Sequence, residues 1–377
     1  MQGNIVLRAV ASSPAVQALA QRLPVAGEGA RLGGAVGSLG AVSIAALHRA
    51  NPERVFVVVA ESPQHAVAVE ADLETVLESD EESHLYPQKE ALPYEEAEPH
   101  LEIGGLRVEA VESLFSGRTK ILVTTPRALQ ERVPIPGRLA DLRTTLRIGD
   151  EIPFADLPTM LEAKGFERVS LGEEGGQFAV RGGIIDLFSV SAGDPVRLEF
   201  WGDGIVSIRT FDILDQRSTG QLRETHVLPV DFRRPEGDAD ALVSRSLLEL
   251  LPSDAVLVRL GTWSLLAHGE RTWRRVSALY GNRVESGAAP RPPASLVLPP
   301  ADLDARVSAL PRLEVVDGSD EPALDSSEPP AIDRDMAKLE AYLREGAARE
   351  VDTVLLCDSE GQLQRLQEVL GGVHRLP

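Results

Sequence analysis

Gly176-Gln-Phe-Ala-Val-Arg-Gly-Gly-Ile-Ile-Asp-Leu-Phe188, followed by Pro195-Val-Arg-Leu-Glu-Phe-Trp-Gly-Asp-Gly-Ile-Val-Ser-Ile-Arg209, decides how this chain is read. Turn residues at Gly182-Gly183, Ala192-Gly193-Asp194-Pro195 and Gly202-Asp203-Gly204 cut it into short strands. In the third strand Val196, Leu198 and Phe200 alternate with Arg197, Glu199 and Trp201. One face of such a strand can be buried, while the other carries a cation, an anion and an indole. Pattern alone leaves that second face either a solvated sheet face or a protein-binding one.

Outward from it, the texture of the chain changes on both sides. Before about residue 134, apolar β-branched runs (Val55 to Ala60, Ile121 to Thr124, and a short one at Leu85-Tyr86) alternate with helical segments. Those helices are expected at Pro14 to Leu23, Ser38 to Ala50, Pro63 to Leu77, Ile103 to Phe115 and from Pro126 to before Pro134. Ser13-Pro14, Ser62-Pro63 and Thr125-Pro126 each supply a capping hydroxyl and a proline at the first helical position. Alternation of this kind predicts a parallel sheet with helices on its faces. Residues 135–217 read as a small α+β module, with a helix at Phe154 to Lys164 ahead of the strands already quoted. The α/β texture resumes with strands at Val227 to Val230 and Ala255 to Leu260, and helices at Ala241 to Leu251 and Trp263 to Tyr280.

The expected organisation is therefore an α/β domain in two segments, 1–134 and 218–316, with the module 135–217 inserted between them. Residues 317–333 are acidic and proline-bearing and read as a linker. Residues 334–377 read as the start of a further α/β domain: helix Met336 to Ala348, strand Val354 to Cys357, helix Gly361 to Leu370. With one strand of a new sheet begun, the chain is expected to be a piece of a longer protein.

Composition narrows the function. The chain has 377 residues, 25% charged and 43% hydrophobic, with a net charge of −20. A chain this acidic is a poor non-specific binder of nucleic acid as a whole. One cysteine, Cys357, excludes a disulfide framework and a cysteine-rich zinc site, and fits a reducing cytoplasm. No apolar run is long enough to span a membrane. The seven histidines are scattered, and lone residues such as His84 and His100 read as surface or packing residues. No pair of carboxylates has a context for acid–base work.

Gly34-Ala-Val-Gly37-Ser-Leu-Gly40-Ala41 occupies the place of a phosphate-binding loop, which requires G-x-x-x-x-G-K-[ST]. Leu39 stands at the second glycine position, Gly40 at the lysine position and Ala41 at the hydroxyl position. The groups that bind charge and metal are gone, so a loop and helix cap without nucleotide is expected, and no cofactor. Val354 to Glu360 superficially resembles an acidic strand end of a nucleotide site; Asp358 or Ser359 as a helix cap accounts for it. Arg168, Arg181 and Arg197 form a basic cluster on or near the module's strands. They are read either as salt-bridging to Glu167, Glu173, Glu174 and Glu199 or as gripping an acidic partner.

At these residues the chain resembles a known family. Gln177 to Phe188, Pro195 to Asp203, Ser207 to Asp212 and Gln216-Arg-Ser218 are similar to the amino-terminal region of the bacterial transcription-repair coupling factors. So are Tyr86-Pro-Gln-Lys-Glu-Ala-Leu-Pro-Tyr94 with Pro99-His100, and Ile121 to Pro134. That region is itself similar to the excision-repair protein UvrB. The resemblance implies a degenerate, helicase-like (P-loop-type) parallel-sheet domain in two segments with an inserted UvrA-binding domain. It implies UvrA as partner, no enzymatic activity in this chain, and an ATP-dependent DNA-translocating motor elsewhere in the full-length protein. RNA polymerase and double-stranded DNA would be met only through regions absent here. Gly40 in place of the lysine, and no room for a long aromatic hairpin after Tyr94, favour the coupling factors over a UvrB-like nucleotide-dependent helicase subunit. Carried over by position, the UvrA-binding residues are Arg168, Phe178, Arg181, Arg197 and Glu199. Ala179 stands where the related pattern has a further arginine.

Overall fold

A computed structural model describes all of the chain except residues 1–4, 80, 97–99, 137–141, 173, 191–193, 233–241, 319–321, 328–329, 333–334, 352, 354, 356, 358 and 371–377. The first segment runs α1 (Ile5–Ala11), α2 (Pro14–Gln21), β1 (Gly29–Leu32), α3 (Leu39–Ala50), β2 (Phe56–Val59), α4 (Pro63–Leu77), β3 (Ser83–Tyr86), α5 (Leu101–Ser116), β4 (Ile121–Thr124), α6 (Pro126–Gln130) and β5 (Arg132–Pro136). Next come β6 (Thr144–Arg147), α7 (Asp156–Ala163), β7 (Glu167–Val169), β8 (Gln177–Arg181), β9 (Ile184–Phe188), β10 (Val196–Trp201), β11 (Gly204–Phe211), β12 (Ser218–Leu222) and β13 (Glu224–Val227). The chain continues with β14 (Leu242–Ser246), β15 (Val256–Leu260), α8 (Leu265–Glu285), α9 (Pro300–Ala309) and β16 (Arg312–Val315), then α10 (Met336–Ala348) and α11 (Glu360–Leu370).

The principal sheet has the order β1-β16-β15-β2-β4-β3, parallel throughout. Its central strands read as continuous apolar runs because both faces are covered. Helices α1 to α4 pack on one face and α5, α6, α8 and α9 on the other. Strands from both sides of the module complete this one sheet. Ser62 and Thr125 cap α4 and α6 as expected, accepting from the amides of His65 and Ala128.

The module is a second sheet, β12-β11-β10-β9-β8-β7, antiparallel except for the β7–β8 pair. Helix α7 buries Leu157 and Leu161 against Phe178, Ile185, Leu198, Phe200 and Ile208 on one face. The expected boundary at 217 falls between β11 and β12, which are paired. β13, which replaces the expected strand at Val227 to Val230, pairs with β6, and Val227 and Val230 join the module's core.

Several sequence expectations are corrected. The helix expected at Ala241 to Leu251 is, over its described residues, strand β14 followed by a 3-10 turn at Leu247–Glu249. β14 pairs with β5, and Ser246 with Glu249 forms a capping box that stops the chain from continuing as a strand. α1 and β1 are additional elements. β1 becomes a strand only because β16, far along the chain, offers it an edge. The expected strand at Val354 to Cys357 includes residues outside the described ones.

The stretch read as a linker is docked at its start. Ala323 bridges to Gly33, and Leu324 is buried in the principal core. By contacts the chain divides into a unit ending at Asp325 and a second unit from Ser326 onward, which holds α10 and α11.

Candidate protein-interaction face

The face of the module's sheet opposite α7 is built by strand alternation. Two hairpins set its registers. Gly182, at φ 58°, turns β8 into β9, and Gly183 lies so close to β10 that a Cβ there would stand 3.0 Å from the Phe200 carbonyl oxygen. With that two-residue turn Arg181 faces Ile184 and Ala179 faces Asp186. Gly202, at φ 61°, opens the two-residue turn from β10 to β11. β10 then aligns Arg197 with Asp186 on one side and Arg209 on the other. Arg181, Asp186, Arg197, Glu199 and Arg209 therefore share the face left uncovered by α7.

Asp186 is the centre of this face and is only 1% exposed. Arg197 donates to it as a fork, Nε to Oδ1 at 2.6 Å and Nη2 to Oδ2 at 2.9 Å, and Arg181 donates to Oδ2 from the side. Nη2 of Arg197 also donates to Oε1 of Gln216 at 2.9 Å. Beneath it the guanidinium lies 4.3 Å from the ring centroid of Phe211, which meets Phe188 edge-on. A planar fork held by a carboxylate above an aromatic ring is a rigid arrangement that lysine could not reproduce. The hydrogen bonds that Arg197 donates to Asp186 hold its guanidinium charge more firmly still, outweighing its partial burial. Glu199 pairs with Arg209.

The salt-bridge reading of the basic cluster thus had the wrong carboxylates. Asp186 serves Arg181 and Arg197, and Glu199 serves Arg209; Glu173 lies outside the described residues. Arg168 is exposed on the edge strand β7, and its side chain has no ion-pair or hydrogen-bond partner among the described residues. It stands in register with Phe178, a core position, so alternation does not bring it onto the face of Arg197. Phe178 is wholly buried in the module's core. As a surface contact it is corrected: alternation in β8 sends it inward against α7. Ala179 is also buried, directly across from Asp186.

The residues that sequence reasoning missed are Asp186, Arg209, Phe211 and Gln216. The Ala179–Asp186 pairing was available from the two-residue Gly182-Gly183 turn. The Arg197–Asp186 pairing was not, because the connection between β9 and β10 leaves their register open. Trp201, which ends β10 beside this face, is 85% exposed.

The glycine loop between β1 and α3 is occupied by its own chain. The amide of Gly33 donates to the Pro322 carbonyl at 2.9 Å, that of Gly34 to Gly318 at 2.7 Å and that of Ala35 to Val316 at 2.9 Å. Gly34 and Gly37 have left-handed φ values of 68° and 58°. Gly40 and Ala41 are buried in α3, and a Cβ on Gly40 would touch Leu260 at 3.4 Å.

Residues 144–231 match the family described as the UvrB interaction domain, the segment that forms the second sheet. The segment that resembles a UvrB interaction domain is thus set into a parallel α/β domain. It is 36% identical over 183 residues to the transcription-repair-coupling factor of Mycobacterium bovis, covering 46% of this chain and 14% of that protein. It is 31% identical over 198 residues to that of Haemophilus influenzae (52% and 17%), and 30% over 213 residues to that of Bacillus subtilis (56% and 18%). Over about half its length the chain is similar to these transcription-repair-coupling factors. It spans less than a fifth of the length of these relatives. Among the described residues no helix is long and apolar enough to cross a membrane.

Proposed function

We propose that this chain is a recruitment module for excision repair, binding UvrA through the face of Arg181, Asp186, Arg197 and Glu199 and through the adjoining exposed edge of the sheet at Arg168 on β7. On this reading it delivers repair to RNA polymerase stalled at DNA lesions. The polymerase-binding regions and the DNA-translocating motor would lie in other parts of a full-length coupling factor. The observation that carries the reading is the pre-ordered Arg197 fork on Asp186, at the centre of a sheet face that no helix of the module covers among the described residues. A guanidinium already fixed loses little freedom when a partner carboxylate or backbone carbonyl arrives. The same reading makes the segments from α1 to β5 and from β14 to β16 the two halves of a helicase-like domain that binds no nucleotide at its glycine loop. The internal hydrogen bonds at Gly33, Gly34 and Ala35 support it, since a phosphate would have to displace them.

The test is a titration of purified UvrA with the wild-type chain and with Arg168→Ala, Arg197→Ala and the double variant. A loss of about 1–3 kcal/mol per buried arginine contact is expected. Arg168 is exposed and unpartnered among the described residues, so its variant reads binding without disturbing the fold. Wild-type affinity in all three variants rejects the site.

A further inference from the structure

The carboxyl ends of the parallel strands carry a second surface that the repair reading does not use. β4 lies on one side of β2 and β15 on the other, so the helices that follow them, α6 and α8, flank the end of β2. Between them is a cavity of about 270 Å³ lined by Gln88, Leu92, Arg127, His268, Arg271, Thr272 and Arg275. Ligands of open α/β sheets settle in this position, outside the carboxyl ends of the strands. The lining holds three arginines, a histidine and no carboxylate, in a chain with a net charge of −20.

The surrounding charges leave the groove positive. Arg127 donates through Nε to Oε1 of Glu131 at 2.9 Å, but the same carboxylate also takes Nη1 of the buried Arg107 at 2.7 Å. Two guanidiniums thus share one anion behind the groove. Among the described residues Arg275 has only Glu95, at 3.6 Å on an exposed side chain, and His268 has Glu61 at 3.7 Å. The Arg271 side chain has no ion pair or hydrogen bond among the described residues. Burial and the nearby Arg271 charge both push the His268 imidazole below its ordinary range. Arg271, Arg274 and Arg275 are all exposed and stand at i, i+3 and i+4, neighbours on one side of α8.

We propose that the groove between α6 and α8 binds phosphate, with Arg271 and Arg275 as the principal cations and Thr272 and Gln88 as neutral donors. Successive cations along a helix suit a row of phosphates, as in a nucleic-acid strand or the polyphosphate of a free nucleotide. The site is separate from the glycine loop and independent of UvrA binding. Net acidity does not oppose it, since binding to phosphates depends on local clusters of Arg and Lys.

The experiment is fluorescence anisotropy of a labelled single-stranded oligonucleotide with the full chain at low salt, repeated with ATP, with inorganic phosphate and with the unlabelled oligonucleotide as competitors. Arg271→Ala with Arg275→Ala should weaken binding about tenfold or more. It should also lower the slope of log K against log salt by about 1.4, at about 0.7 per single-strand phosphate. Displacement by ATP at lower concentration than by oligonucleotide assigns the site to a free nucleotide; the reverse order assigns it to a strand. The Arg168→Ala variant should bind the probe as wild type does, which separates this site from the UvrA reading. Absence of binding by the wild-type chain, or equal binding by the double variant, overturns the proposal.

Discussion

Asp186 and Arg197 face each other across β9 and β10 and are joined by two hydrogen bonds of 2.6 and 2.9 Å, the carboxylate almost fully buried and the guanidinium mostly so. The pair makes a fixed charge out of a side chain that would otherwise sample many rotamers. It also makes Asp186 a structural residue as much as a functional one.

Asp186→Asn should therefore destabilise the chain. The change leaves Arg197 and Arg181 without their shared anion, and breaking one partner of a buried pair costs about 3 kcal/mol or more. Urea unfolding of the variant against wild type measures it. A midpoint unchanged at constant slope would show that the pair carries no stability.

Phe178 and Trp201 should separate packing from contact. Phe178→Leu removes part of a wholly buried ring and should cost about 1–2 kcal/mol of stability while UvrA affinity, measured below the unfolding transition, is retained. Trp201→Ala should leave stability within about 0.5 kcal/mol, because the indole is almost wholly in solvent. If the uncovered face is the interface, that variant weakens UvrA binding by about 1 kcal/mol or more. The opposite pattern would place Phe178, not Trp201, at the interface.

Glu70 gives a pH-dependent prediction. It is buried under β3, with Ser83 Oγ donating to Oε1 at 3.1 Å, and burial pushes its carboxyl up to about 7 from an ordinary 4.5. Between those values the folded chain keeps a proton that the unfolded chain has released. Stability from this group is thus present below pH 4.5 and is lost as pH rises through 7. The 2.5-unit difference corresponds to about 3 kcal/mol. Glu70→Gln should remove this loss, so the variant gains on wild type by up to that amount at pH 8 and by little at pH 4. Thermal melts at both pH values decide it; a difference independent of pH would rule out titration of Glu70.

Gly34→Ala tests the glycine loop. A Cβ at this position would stand 2.2 Å from the Leu324 carbonyl oxygen, on a backbone at φ 68°. A loss of about 2 kcal/mol or more is expected from strain and displaced hydrogen bonds. Gly37→Ala, at φ 58° with open space around it, should cost only about 1 kcal/mol. Equal melting temperatures for the two variants would show that Val316, Gly318, Pro322 and Leu324 do not clamp the loop.

Local signals made most of this fold legible. Ser62-Pro63 and Thr125-Pro126 start helices where hydroxyl and proline predicted them, and the run Ile121 to Thr124 is the strand it looked to be. The alternation of Val196 to Trp201 gave the two faces of β10 correctly. What failed depended on distant partners. Nothing near Gly29 to Leu32 announces a strand, because β16 supplies its edge. Residues 242–246 read as helix until β5 claims them. In the candidate site Arg181, Arg197 and Glu199 were legible as polar positions of strands. Their partners were not, since Asp186 meets Arg197 only through a register that no turn sequence specifies. Phe178 shows the limit of transferring a residue by position: its alternation pointed inward all along.

The hydrogen bonds from Gly33, Gly34 and Ala35 to Pro322, Gly318 and Val316 also bear on where this protein can be cut. A shortened chain ending at Val316 would lose the acceptors at Gly318 and Pro322 and the buried Leu324 side chain, leaving the β1 end of the sheet open to water. One ending just after Asp325 keeps the clasp closed. The natural seam for dissecting the molecule lies several residues later than its acidic, proline-bearing sequence suggests.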